Sequence, residues 1–271
     1  MHKPDTGMPK GIVDPAGASS RIRLATLPPS APLMPFVDYF WLVEWDLAGQ
    51  AAQTQRVLPY PNAHLVFDAG QSAIHGIVRG AFLRKLEGAG RVLGVRFKAG
   101  GLRPFLSFPV ARLADRTLAL DEVLKVGSAE AERRVLGQPD QQAMITAAEA
   151  MLLAVLPACD PRALLAEQAV QAAAAANGPL SAQALAARIG VQERSLQRLF
   201  SNYVGVSPKW VIQRFRLQEA TWRLSMQGPA DLSALACGLG FFDQAHFTRN
   251  FTKLVGQSPL AYWKSQQAAS V

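Results

Sequence analysis

The feature that most limits what this chain can fold into is an internal repeat in its C-terminal third. Leu185-Ala186-Ala-Arg-Ile189-Gly190-Val191 recurs as Leu235-Ala236-Cys-Gly-Leu239-Gly240-Phe241 at an offset of 50. Leu196, Phe200, Gly205, Ser207 and Pro208 then recur as Phe247, Phe251, Gly256, Ser258 and Pro259 at an offset of 51, so one residue has been inserted just after the turn. Each copy reads as a short helix, a glycine turn, a second helix and another glycine. A Ser-Pro pair then opens a further helix, with Ser as N-cap and Pro at the first helical position. Two helices joined by a short glycine-containing turn make a helix-turn-helix unit, present here twice.

The second helix of each copy carries the chemistry. In the first, Leu196, Leu199, Phe200 and Tyr203 follow i, i+3, i+4, i+7 spacing and predict a buried stripe, leaving Arg194, Gln197, Arg198 and Ser201 outward. In the second, Phe247, Phe251 and Leu254 form the stripe, Gln244, Ala245, Thr248, Arg249 and Thr252 face out, and His246 lies at the N-terminal flank. Arg reaches guanine bidentately, Gln reaches adenine, and a Thr methyl meets the thymine methyl. The competing reading is an ordinary polar surface on an all-α bundle. Two aligned copies, each following a glycine turn and each without acidic groups on that face, weigh against it. Between them, the helix from Pro208 to about Gln227 shows two apolar stripes, Val211, Phe215 and Trp222 on one side and Trp210, Leu217, Ala220 and Leu224 on another. A spacer with two bodies to pack against is about 28 Å long, close to the roughly 34 Å turn of B-DNA. The two second helices are thereby expected in successive major grooves.

Charge distribution agrees. Of the formal +8 on 271 residues, with a pI near 9.9, residues 177–271 carry ten basic and four acidic side chains, hence +6. A polyanion is the implied partner. Composition with 49% hydrophobic and 18% charged residues excludes bulk disorder and leaves room for two modest cores. Two cysteines, Cys159 and Cys237, exclude a disulfide framework and a Cys₄ zinc site and suit a reducing cytosol. No run reaches the roughly 18 apolar residues of a spanning helix, and Met1 to Lys10 has no apolar h-region, so a cytoplasmic protein without membrane contact is expected.

Leu180-Ser-Ala-Gln-Ala-Leu-Ala-Ala-Arg-Ile-Gly190, Arg216-Leu-Gln-Glu-Ala220 and Gly240-Phe-Phe-Asp-Gln-Ala-His-Phe-Thr-Arg-Asn-Phe251, followed by Gly256-Gln-Ser-Pro259, resemble the DNA-binding domain of AraC-type transcriptional regulators over roughly residues 165–265. The resemblance implies a bacterial regulator with seven helices in two lobes, most often an activator that recruits RNA polymerase at promoter DNA. By position it implies base-reading roles for Arg194, Gln197 and Arg198 in the first motif and for Gln244, His246 and Arg249 in the second, with Thr248 beside them. Arg188, Lys209 and Lys253 are expected on phosphates. The family usually has Ser at the start of each recognition helix, where this chain has Gln192 and Phe242. Phe242 carries no capping group, which leaves the cap to Asp243 or the helix start unpinned.

The remainder is organised differently. Residues 1–20 read as a mobile tail. Residues 21–126 show short runs of aromatic and β-branched residues, at 36–45, 64–67, 74–78 and 91–97, and predict a β-rich barrel or sandwich, cupin-like among the options. An Ala/Leu/Glu/Gln-rich helical connector follows over 127–164, then the all-α domain over 165–268, for an α+β chain of two domains. Leu58-Pro-Tyr-Pro-Asn-Ala-His-Leu-Val-Phe-Asp68 and Gly94-Val-Arg-Phe-Lys-Ala-Gly-Gly101 resemble an uncharacterised β-rich domain fused to AraC-type DNA-binding domains, which usually has proline where Ala99 stands. That resemblance implies sensing of a small-molecule effector or support of a homodimer. His64 and His75 lack a companion carboxylate at suggestive spacing and are read as structural, so no metal and no cofactor is assigned. Tyr39, Trp41 and Trp45 are assigned to the β-core and Cys237 to a buried, inert position. No catalytic constellation is present, and a non-enzymatic protein is expected. The alternative is an alkyl-transfer enzyme with a DNA-binding tail, whose cysteine cluster would have to precede Cys159, where the sequence has no cysteine.

Overall fold

The structure, a computed structural model, describes residues 21–176, 178–227 and 231–268. The expected tail at 1–20 lies outside them. The N-terminal strands are β1 (Ile22–Leu27), β2 (Val37–Leu47), β3 (Gln53–Val57), β4 (His64–Asp68), β5 (Ala73–His75), β6 (Phe82–Leu86), β7 (Gly88–Phe97) and β8 (Thr117–Leu118). Six of them form an antiparallel sheet in the order β1-β2-β7-β4-β5-β8, while β3 and β6 pair as a separate ribbon. The β-rich region is therefore present. The barrel option is corrected, because β1 and β8 are the unpaired edges of an open sheet.

Alternation along β2 and β7 sorts the side chains. Phe40, Leu42, Leu93 and Val95, with Leu65 and Phe67 of β4, are buried against α2 (Ser128–Leu136) and α3 (Gln141–Ala154), reached through the short helix α1 (Asp121–Leu124). The expected connector is in this way a helical layer on the sheet. Tyr39, Trp41, Val43 and Trp45 share the opposite face and are half-buried, which corrects their assignment to the core. The cause is visible across the strand. Trp41 and Trp45 lie opposite Gly94 and Gly90, where any Cβ would overlap their rings, so the indoles lie over bare backbone. Trp41 Nε1 donates to His64 Nδ1 at 3.1 Å, and burial together with Arg96 and His75 pushes the His64 imidazole down to about 3. His64 is thus a neutral acceptor in the sheet, and among the described residues no cluster of three His, Cys, Asp or Glu side chains forms. The ribbon lies over part of this face: Arg84 pairs with Asp68 at 2.6 Å and Phe82 stacks edge-on to His75.

From α4 (Pro161–Ala174) onward the chain is helical: α5 (Ala182–Arg188), α6 (Glu193–Leu199), α7 (Pro208–Gln227), α8 (Leu232–Gly238), α9 (Gln244–Val255) and α10 (Pro259–Ala268). Among the described residues this gives the seven helices that the resemblance implies. They do not share one core. Buried residues of α4, α5 and α6, with Val211 and Ile212 of α7, are continuous with the sheet's core. Leu217, Ala220 and Leu224 of α7 instead join Phe241, Phe247, Phe251, Leu254 and Tyr262 in a separate small core. The spacer helix passes from one body to the other along its own length, as its two stripes predict. Two details differ from the stripes: Trp210 packs with the first body and Trp222 is exposed.

The second core also takes in Leu58, from the loop after β3, which is 5% exposed. More contacts tie the N-terminal sheet region to the helices. Arg214 of α7 donates through Nη2 to the Arg79 carbonyl at 2.6 Å, and Arg103 Nε donates to Asn202 Oδ1 at 2.9 Å. Tyr60 stacks edge-on to Phe215. Burial holds the Arg214 guanidinium down at about 10 and Trp210 covers it, so this arginine belongs to the fold and not to the charged surface.

Candidate nucleic-acid interface

The repeat is reproduced in backbone geometry. Val191 N–H donates to Ala186 O at 3.0 Å, and Phe241 N–H to Ala236 O at 2.9 Å. Gly190 and Gly240 hold φ of 72° and 76°, a left-handed conformation that closes the turn and strains any residue with a Cβ. The second helices also correspond. α6 runs into a π-helical turn, Phe200–Val204, and α9 is one continuous helix, each ending at a left-handed glycine, Gly205 or Gly256. In the first copy Gly205 N–H reaches back to Phe200 O at 2.7 Å, and Ile77 and Val110 of the N-terminal region pack on that glycine.

The helix starts differ. Asp243 is the N-cap of α9, its Oδ1 accepting from the His246 N–H at 2.6 Å. Gln192 occupies the N-cap of α6 without a side-chain bond. The cap positions are therefore Gln192 and Asp243, and Phe242 stands one residue outside, 92% exposed.

Arg194, Gln197 and Arg198 lie exposed on α6, and Gln244 and Arg249 lie exposed on α9. Thr248 is half-buried. His246 is also half-buried, its ring edge-on to Phe241 and its Nδ1 buried with no partner. Gln197 is engaged locally, donating to Glu193 Oε1 at 3.3 Å across one helical turn. Arg188 at the end of α5, Lys209 in the first turn of α7 and Lys253 in the last turn of α9 are exposed. Among the described residues none of Arg188, Arg194, Arg198, Lys209, Arg249 or Lys253 is held in an ion pair. Arg223, by contrast, is paired with Glu219 at 2.9 Å. The basic excess thus divides into buried or paired arginines that build the fold and free cations on the surface. Cys237 is exposed, which corrects its buried assignment, because on α8 the inward position is taken by Ala236.

Arg216 opens the Arg216-Leu-Gln-Glu-Ala220 stretch of α7. Its Nη1 donates to Gly240 O at 2.9 Å and its Nη2 to Leu180 O at 2.7 Å. One guanidinium on α7 therefore satisfies the turn carbonyl of the second motif and the carbonyl ahead of the first. Gln213 Nε2 donates to Asn250 Oδ1 at 2.7 Å, and Asn250 Nδ2 donates to His246 O at 2.8 Å, which fixes α9 against α7. The only signal of these roles in the sequence is that polar residues lie between the two apolar stripes of α7.

The helix-turn-helix geometry has a counterpart among known families. Residues 185–265 match the family described as a helix-turn-helix domain, and residues 25–119 match a domain of unknown function (DUF6597). The HTH-type transcriptional regulator GlxA of Rhizobium meliloti is 36% identical over 81 residues, 30% of this chain and 25% of that protein. The HTH-type transcriptional activator RhaS of Pectobacterium carotovorum is 35% identical over 75 residues, 28% of this chain and 26% of that protein. The matched stretch spans about a quarter of the length of these curated relatives. A solved transcriptional regulator with an AraC-type DNA-binding domain, from Chromobacterium violaceum, is 27% identical, covers 36% of this chain and 88% of that one, and superposes with a TM-score of 0.33. Among the described residues no helix is long and apolar enough to cross a membrane.

Proposed function

We propose that this chain, whose residues 185–265 match a helix-turn-helix domain, is a sequence-specific, DNA-binding transcriptional regulator of the AraC type and not an enzyme. The observation that carries the reading is the duplicated motif with exposed amides and exposed, unpaired cations on both second helices. Arg194, Gln197 and Arg198 would read bases in one major groove, and Gln244, His246, Thr248 and Arg249 in the next. Arg188, Lys209 and Lys253 would contact phosphates. By family analogy the regulator is an activator acting in the cytoplasm through RNA polymerase. The β-rich region over 21–126 would take a small-molecule effector or support a homodimer.

Binding of the full chain to duplexes selected from a random pool tests the reading. Arg198→Ala or Arg249→Ala is expected to cost about 1–3 kcal/mol on the selected duplex and to relax preference at one base pair. Equal weakening on every sequence would make that arginine a phosphate clamp and overturn its assignment.

Glu193 supplies a second test. It holds Gln197 and, on this reading, would place a negative charge beside the duplex. Glu193→Gln is expected to tighten binding roughly threefold to tenfold in low salt, with the gain shrinking as salt screens the charge. Unchanged affinity in low salt would remove the α6 N-terminus from the interface.

A further inference from the structure

The single residue by which the second motif exceeds the first is Phe242. The turns superpose in their hydrogen bonds through Val191 and Phe241, and the helices superpose in register from the caps Gln192 and Asp243. In the first copy turn and cap are adjacent, so the fold does not require a residue between them. In the second copy that extra residue is aromatic, and its 92% exposure shows that it adds nothing to the core. Nor is it on a loose segment. Phe241 before it is buried in the second core, and Asp243 after it is pinned by its own cap bond. An exposed benzyl group is therefore carried on pinned backbone at the N-terminal end of α9, the end from which recognition helices meet base edges, next to the exposed Gln244.

Resting on the reading of α9 as a base-reading helix, we propose that Phe242 is a specificity residue whose ring contacts the 5-methyl group of a thymine in the major groove. A hydrocarbon ring has no donor or acceptor to offer a base edge. The thymine methyl is the one apolar feature that the major groove presents. The ring adds to the hydrogen-bonding set of Gln244 and Arg249 a preference that neither can supply.

The test is a thymine-to-uracil scan of a duplex selected from a random pool by the full chain, since this exchange removes only the methyl. Wild-type protein is expected to lose about fourfold in affinity at one or two thymine positions, the worth of one buried methyl. Phe242→Ser should bind thymine and uracil equally at those positions while responding normally elsewhere, and Phe242→Leu should keep much of the discrimination. The side chain is exposed, so both variants retain the fold. A wild-type scan with no sensitive position, or a Phe242→Ser protein that keeps full discrimination, overturns the proposal. So does uniform weakening on all sequences, which would place the ring against deoxyribose. If the wild-type chain binds no duplex at all, the regulator reading fails first and this proposal falls with it.

Discussion

Replacing Phe251 by alanine is expected to cost about 3–5 kcal/mol and to unfold the second lobe while the rest of the chain stays folded. Phe251 is fully buried, with ring centroids 5.6 Å from Phe247 and 5.7 Å from Tyr262. These rings and Phe241 make up much of a small core separate from the continuous one. A lobe with so little apolar area has little stability to lose, and the predicted cost is of the order of the entire margin of a small domain. Thermal melting followed by circular dichroism should become biphasic, and affinity for a selected duplex should fall more than a hundredfold. The same truncation at Phe200, which is fully buried in the continuous core, should lower a single transition instead. A Phe251→Ala protein that melts in one step and binds DNA normally would contradict the division into two bodies.

Raising salt from 50 to 200 mM is expected to weaken duplex binding roughly a thousandfold, the response to about six neutralised phosphates. Of the ten basic residues after residue 176, Arg214 is buried, Arg216 is bonded to two carbonyls and Arg223 is paired with Glu219. That leaves Arg188, Lys209, Lys253 and Lys264 exposed for phosphates, beside the base-reading Arg194, Arg198 and Arg249, whose charges in the groove also displace counterions from the duplex. The midpoint is read by fluorescence anisotropy at each salt concentration. A flat response would show that these cations do not meet phosphates and would remove the electrostatic basis of the regulator reading.

What could be read from residues alone followed periodicity and repetition. The glycine turns, the inward stripes of α6 and α9 and the length of α7 all repeat or recur at fixed spacing, so the second half was legible almost in full. The N-terminal sheet was legible where apolar runs were dense, in β2, β4 and β7. It was missed at β3, Gln-Thr-Gln-Arg-Val, and at β6, Phe-Leu-Arg-Lys-Leu. These form an outlying ribbon stabilised by each other and by Arg84 on Asp68, a dependence that no local pattern encodes. Trp41 and Trp45 were misassigned because alternation shows which residues share a face but not which face is covered. Arg216 escaped notice because its partners are backbone carbonyls distant in sequence. The continuity of the sheet's core with the first motif is likewise a property of packing between segments that share no pattern.

Leu58 lies between strands of the N-terminal ribbon and sheet, yet its side chain is buried in the second lobe. A displacement of that lobe on a duplex would act on the loop that carries Leu58, which continues from β3 of the ribbon lying over the tryptophan-bearing face of the sheet. Linkage makes such a connection symmetric. If a duplex shifts the lobe and a ligand binds at the sheet, each would change the other's affinity by the same factor. On the proposed reading the Leu58 loop would join the two bodies, and a duplex would then act on the N-terminal region as much as a ligand there would act on DNA binding.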